Sequence, residues 1–455
     1  MVMALTLGWT QEIPKLDLGN DWRVLIEVLR NPSAFLLKLS CKAGRIAQFA
    51  AGPVRIVLVN QPELISSLLI EHAGSLRKMA AIKSLGVFTG EGLLINEGDL
   101  WAKHRKLVAP AFHHRRIQFY QQMTSEIVDA AQRQWQHGQV IDLQQEFKRL
   151  SLRIIGKALF SIDLEEIAHS FATDIGIALN YVNLVAAQAA LPLSRYFLPG
   201  RGLGEAAIRR VDAIVYELIR QRRACAHDQD HGDFLSMLLL SKTAEGEHLS
   251  DQEVRDEAIT MFVAGHETIS AVLTWLHYHV ARQPMLQEAL QREAYIQLGG
   301  RMPFLADMAN LPLAQQTYKE ALRMYPSGFT IGRQTTHEID LCGYRIPANT
   351  WVMVSPYSAH RNPEIFDSPE EFRPERFTPE REQTLPRGGY LPFGLGPRTC
   401  IGSAFAMMEG QIIVSHLAQH VRLCPLDSQP VNIAPMITLN PDRPILMRVE
   451  RICPH

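Results

Sequence analysis

None of the six cysteines, Cys41, Cys225, Cys342, Cys400, Cys424 and Cys453, stands in a C-x-x-C pair. That absence excludes a zinc knuckle and a dithiol redox couple, and it suits thiols kept reduced inside a cell. Charge of one sign is missing too, with 46 Lys and Arg against 47 Asp and Glu. A net charge of −1 gives no pull towards nucleic acid. A long apolar run is absent from the start: residues 1–9 are briefly apolar, follow no basic region and fall short of the ~20 residues a spanning helix needs. Two motif readings fail for want of one residue each. His266-Glu267 would need a histidine at 270 for a zinc-protease helix, and Ser270 stands there. The glycines at 394 and 396 would need a third at 399 for a dinucleotide loop, where the chain has Thr399, and no β-branched run precedes them. What remains is 455 residues, 47% hydrophobic and 20% charged, enough for a globular protein with a large core and too much for a short binding module.

The most informative stretch runs Phe393-Gly394-Leu395-Gly396-Pro397-Arg398-Thr399-Cys400-Ile401-Gly402. Gly394 and Gly396 let the backbone take positive φ and pass close to a flat ligand, and Pro397 stiffens the turn. An apolar, helix-compatible run follows from Ala404 to Met408, so Cys400 precedes a helix start, where a positive pole favours a thiolate. Such a thiolate suits an iron ligand.

Four further clusters accompany it. Trp101 and Arg105 are four residues apart and share a helix face that can grip an anion; His104 is a weaker third member. Ala264-Gly265-His266-Glu267-Thr268 lies in the middle of a long helical pattern, residues 249–282, that Ser250 and Glu253 can open with a capping box. Gly265 weakens that helix by about 1 kcal/mol relative to alanine. Glu320-Ala321-Leu322-Arg323 supplies an acid and a base at i,i+3, and Phe372-Arg373-Pro374-Glu375-Arg376-Phe377 a second arginine.

F-x-x-G-x-R-x-C-x-G, together with A-G-x-[DE]-T, E-x-x-R, P-E-R-F and W-x-x-x-R, resembles the cytochrome P-450 family, soluble bacterial type, with every fixed position filled. The resemblance implies a mainly α fold: one helix-rich triangular domain over residues 1–455, with a smaller β-rich region at about 40–75 plus C-terminal strands, and a helical haem-binding part at about 76–455. It implies haem b (iron protoporphyrin IX), with Cys400 as axial ligand of the iron, Phe393 beside the sulfur and Gly402 letting a helix approach the porphyrin. Arg398, Trp101, Arg105 and Arg333 become propionate partners, and Ala264 and Gly265 line the O2 side. Glu267 and Thr268 become the proton relay, and Glu320, Arg323 and Arg376 a structural network. Phe88, Ile259, Phe262, Val263, Phe329, Thr330 and Ile437 become pocket residues.

The implied activity inserts one oxygen atom of O2 into an apolar, fatty-acid-like or terpenoid-like substrate. An external ferredoxin or flavodoxin with its NAD(P)H reductase would supply electrons, since the 55 residues after Cys400 are too few for a flavin domain. Lys103, Lys106, Arg115 and Arg116 form a basic stretch that could attract it. The expected location is cytoplasmic, with no transmembrane anchor and no nucleic acid. A haem-thiolate isomerase or peroxygenase, or a non-catalytic gas sensor, is the alternative; the first kind often loses the acid–alcohol pair that this chain keeps.

Elsewhere the periodicity predicts helices within 22–29, 34–39, 62–72, 120–160, 164–181, 205–223 and 311–325, and a hairpin over 45–59. Strands with turns are expected over 335–353, a glycine-rich loop over 75–99, a proline-rich meander over 357–387, and an apolar lid connection over 186–204. A terminal hairpin should pair residues 435–439 with 445–449.

Overall fold

The protein is described by a computed structural model over residues 11–19, 21–51, 54–162, 168–190, 200–224, 230–243, 246–435 and 437–452. The chain divides into two compact units. The first comprises Met1–Met79, Gly328–Glu371 and Arg381–Cys400; the second comprises Ala80–Ser327, Phe372–Glu380 and Ile401–His455.

The first unit is built on a five-stranded sheet whose order is Ile46–Ala51, Val54–Val59, Trp351–Val354, Ile331–Thr335, Leu76–Lys78. Val54–Val59 pairs antiparallel with Ile46–Ala51, in the register Ile46 to Val59, and parallel with Trp351–Val354. Its sequence, VRIVLV, is nearly all apolar because both faces are covered. Ile56 and Leu58 pack with Phe35, Leu36 and Leu39, whereas Val57 and Val59 pack with Leu64, Ile65 and Leu68. The helix carrying Phe35, Pro32–Ala43, starts with proline in its first turn and Asn31 capping Ala34 N–H at 3.0 Å. A small hairpin, Ile339–Leu341 with Tyr344–Ile346, turns through Cys342 and Gly343, both at positive φ.

The second unit is helical around Asp251–Ala281, which is buried on nearly every side, as a helix apolar all round must be. It packs on Leu143–Phe160, Arg201–Ala224, Phe234–Leu240 and Pro312–Met324. Ser250 and Glu253 close the expected capping box. Among the described residues it is the helix long and apolar enough to cross a membrane, and 78% of its apolar window is buried inside the protein.

Several expectations are corrected. The 75–99 segment holds strand Leu76–Lys78 and short helices Ala80–Lys83 and Gly86–Thr89, because its apolar residues dock where a glycine-rich loop was expected. Helix over 120–160 is interrupted: His114–Gln134 ends before Gly138, at φ +81°, and Val140–Asp142 is a strand. Helix Ala168–Ala190 runs into the expected lid connection, whose residues 191–199 lie outside the described ones, as does the start at 1–9. Helices Phe234–Leu240 and Pro284–Leu298 were not foreseen.

The expected terminal hairpin does not form. Pro435 pairs with Leu439, so that run reverses within itself, as Ile433–Pro435 against Leu439–Pro441. Leu446–Arg451 instead lies between Val140–Asp142 and Val421–Pro425, burying Met447 and Val449.

Candidate functional site

In the first unit, the cysteine loop is held by its own backbone. Gly394 and Gly396 take φ of +75° and +77°. A Cβ on Gly396 would lie 2.1 Å from the carbonyl oxygen of Leu69, so the π-helical turn Ser67–Glu71 packs directly on the loop. Cys400 N–H donates to Phe393 O at 2.8 Å and Thr399 Oγ1 to Gly396 O at 2.7 Å. Buried His360 accepts from Leu391 N–H at its Nε2, at 2.9 Å, and fixes the loop's start. Cys400 is exposed and in no disulfide, while Phe393 and Arg398 are half-buried. Arg333 lies in the same unit on strand Ile331–Thr335, half-buried, donating from Nη1 to Gly332 O at 2.8 Å. Gly402, in the second unit, is the N-cap of helix Ser403–His420.

In the second unit, residues 254–263 and 269–278 of helix Asp251–Ala281 are buried without a break. Between them Ala264 is exposed, and Gly265, Glu267 and Thr268 are half-buried. Thr268 Oγ1 donates to Ala264 O at 2.5 Å, and Thr268 O accepts from Ser327 Oγ at 2.8 Å. Glu267 has Lys148 Nζ at 4.0 Å and His266 Nδ1 at 3.5 Å. Burial holds the His266 imidazole below its ordinary pKa, so it is neutral at pH 7. Its Nε2 lies 3.2 Å from Lys148 O. Gly265 has a packing reason that the sequence did not show. A Cβ there would meet Ile155 Cδ1 at 2.5 Å, so the glycine lets helix Leu143–Phe160 press against the backbone.

Trp101 and Arg105 share a face of helix Gly98–Val108, with the guanidinium carbon 5.6 Å from the indole centroid. His104 does not join them. It is buried, with Nδ1 2.7 Å from Glu257 Oε1, and fastens its helix to Asp251–Ala281. Burial raises the Glu257 pKa. The expected basic stretch is partly neutralised: Lys103 pairs with Glu253 at 3.2 Å and Arg116 pairs with Asp230.

Glu320, Arg323 and Arg376 come together, all at least 96% buried. Arg323 donates from Nε and Nη2 to the two Glu320 oxygens at 2.7 and 2.8 Å. Arg376 Nε is 3.4 Å from Glu320 Oε1, which also accepts from Arg373 N–H at 2.8 Å. Of the candidate pocket residues, Phe88, Ile259, Phe262 and Val263 sit in one buried apolar cluster, with Ile437 packed on it. In the first unit Phe329 is buried and Thr330 half-buried.

An exposed cysteine in a glycine-cradled loop, with half-buried arginines on the same unit, fits a thiolate-ligated group with anionic substituents. The family model described as Cytochrome P450 matches residues 24–448. The chain belongs to the cytochrome P450 family. This P450 is 33% identical to cyclooctatin synthase of Streptomyces melanosporofaciens over 427 residues, 90% of this chain and 89% of the relative. It is 29% identical to pentalenene oxygenase of Streptomyces avermitilis over 422 residues, 91% and 92% of the two chains. Leukotriene-B4 omega-hydroxylase 3 of Mus musculus is 30% identical over 430 residues, 88% and 81%. The P450 is therefore a haem-dependent, O2-using monooxygenase of mainly α fold, of a family that acts on apolar substrates with electrons from external redox partners. When bound, thiolate-ligated haem supplies O2 activation, the sulfur pushing electron density that favours O–O cleavage.

Proposed function

We propose that this P450 hydroxylates a terpenoid-like or fatty-acid-like substrate with electrons from a ferredoxin or flavodoxin and its NAD(P)H reductase, in the cytoplasm. The observation that carries the reading is the break in burial at Ala264, Gly265, Glu267 and Thr268, between the buried runs 254–263 and 269–278 of helix Asp251–Ala281. It presents a small apolar face beside a hydroxyl and a carboxylate. Cys400 would hold the iron of haem b, with Phe393 beside the sulfur and Gly402 leaving room at the helix start. Arg398, Arg333, Trp101 and Arg105 would hold the propionates, whose planar carboxylates match guanidinium forks. Ala264 and Gly265 would leave space on the O2 side.

Thr268 would hand a proton to the reacting oxygen, and Glu267, with Lys148 near it, would restore that proton from solvent. Glu320, Arg323 and Arg376 would fix the geometry of one helix and the 372–377 turn, a structural role. The whole chain would act as a single haem domain. Phe88, Ile259, Phe262, Val263, Phe329, Thr330 and Ile437 would select for apolar shape. The relatives named for pentalenene and leukotriene B4 support that substrate class.

A spectral-shift screen of the purified ferric protein against terpenes, fatty acids, sterols and macrolides tests it. A saturable shift with terpenes or long-chain fatty acids is expected. Shifts confined to macrolides, or no shift with any of these compounds, would overturn the substrate reading.

A further inference from the structure

Helix His114–Gln134 and helix Ser403–His420 pack along each other, and at one point on that seam three metal-ligating side chains converge. His416 and His420 are one turn apart and so share a face of their helix. Asp129 faces them from the other helix. One ligand atom from each of the three lies within 4.8 Å of the other two.

The two imidazole rings lie 4.7 Å apart, centroid to centroid. His416 is fully buried, and neither of its ring nitrogens has a hydrogen-bond partner. His420 Nε2 is also buried and unpartnered. Buried polar nitrogens are normally satisfied, so an orphaned pair on one face needs a reason. Asp129 Oδ1 lies 3.4 Å from His416 Nε2, too far for a strong His–Asp hydrogen bond. That separation does match a coordination edge. Ligands about 2.0–2.1 Å from a tetrahedral zinc ion lie roughly 3.3–3.4 Å from each other. Arg133 takes the other carboxylate oxygen, Oδ2, at 2.9 Å, leaving Oδ1 turned to the histidines.

We propose that Asp129, His416 and His420 form a site for a divalent transition-metal ion of the zinc class, which clamps helix His114–Gln134 to helix Ser403–His420. Two imidazoles and one carboxylate are a donor set that suits zinc, with water completing the tetrahedron, since Asp129 and His420 are only half-buried. The site uses none of the residues assigned to oxygen chemistry. It stands or falls independently of the substrate reading.

The test uses the haem-loaded full chain, stripped with a chelator and titrated with Zn2+ by calorimetry, with bound metal counted by mass spectrometry. One zinc per chain is expected. His420→Gln and Asp129→Asn should each weaken binding by about tenfold or more, and His416→Gln should abolish it. Zinc should raise the thermal midpoint of the wild type and not of His416→Gln. Should His416→Gln fail to fold, the two half-buried variants carry the test. Absence of binding by the wild type at about a hundred micromolar zinc, or equal affinity in Asp129→Asn, His420→Gln and wild type, would overturn the proposal.

Discussion

Substituting Gly265 with alanine separates two reasons for a glycine in the middle of the longest helix. One is access for a small molecule to the backbone; the other is the approach of Ile155, whose Cδ1 would stand 2.5 Å, and Cγ1 3.0 Å, from the new methyl group. The methyl contributes about 1 kcal/mol of helix propensity. Overpacking opposes it with about 1–3 kcal/mol, so Gly265→Ala alone is expected to lose between about 0 and 2 kcal/mol. Ile155→Val removes Cδ1, the atom that collides, and alone costs about 0.5–1.5 kcal/mol. In the double variant the new methyl fills the space that Cδ1 left. The two losses should therefore cancel to near wild-type stability, with a coupling equal to their sum, about 0.5–3.5 kcal/mol. Urea unfolding of all four proteins, followed by far-UV dichroism, reads this directly. Additivity within about 0.5 kcal/mol would show that Ile155 is not what demands the glycine. Hydroxylation that stays lost in a fully stable double variant would assign the glycine to small-molecule access as well.

Other consequences are equally specific. Glu320→Gln keeps the shape of the buried network but turns an amide donor towards the Arg323 donors; a loss of about 3–5 kcal/mol is expected in urea, and a loss below about 1 would show that the network is not load-sharing. Glu409, fully buried on helix Ser403–His420, has its pKa pushed up from 4.5 to about 8 by desolvation. The folded protein therefore keeps a proton that the unfolded chain releases, and stability falls as pH rises from about 4.5 to about 8. Glu409→Gln should remove that fall, gaining roughly 3 kcal/mol over wild type at pH 7 and little at pH 4.5; a pH-independent gain would contradict it. Thr268→Val should cut product formation by about tenfold or more, with Thr268→Ser restoring most of it, as measured by product per NAD(P)H consumed; an unchanged ratio in Thr268→Val would remove the hydroxyl from the proton path.

Features fixed by neighbours in sequence were the legible ones. The Ser250–Glu253 capping box is a four-residue device, and the hairpin Ile46–Val59 follows from β-branched residues on either side of a Gly-Pro pair in the sequence. The acid and base at 320 and 323 are one turn apart, and their third partner was readable because Arg376 sits in its own short motif. Features set by distant partners were not legible. Leu446–Arg451 alternates like any half-buried strand, and nothing local says that it pairs with Val140–Asp142 and Val421–Pro425. His104 reads as a companion of Trp101 and Arg105 until the fold brings Glu257, 153 residues away, to its Nδ1. Gly265 reads as an opening because Ile155 is invisible from its own stretch of chain. Asp129 is separated from His416 and His420 in the same way, although the two histidines at i,i+4 were a signal that could have been followed.

Every catalytic role proposed for this P450 depends on sulfur ligation by Cys400. Reduction of the purified protein under carbon monoxide should give the red-shifted absorption band characteristic of thiolate-ligated haem in the wild type, and Cys400→Ser should lose that band. A wild-type protein without the band, or a Cys400→Ser variant that keeps it, would contradict the account.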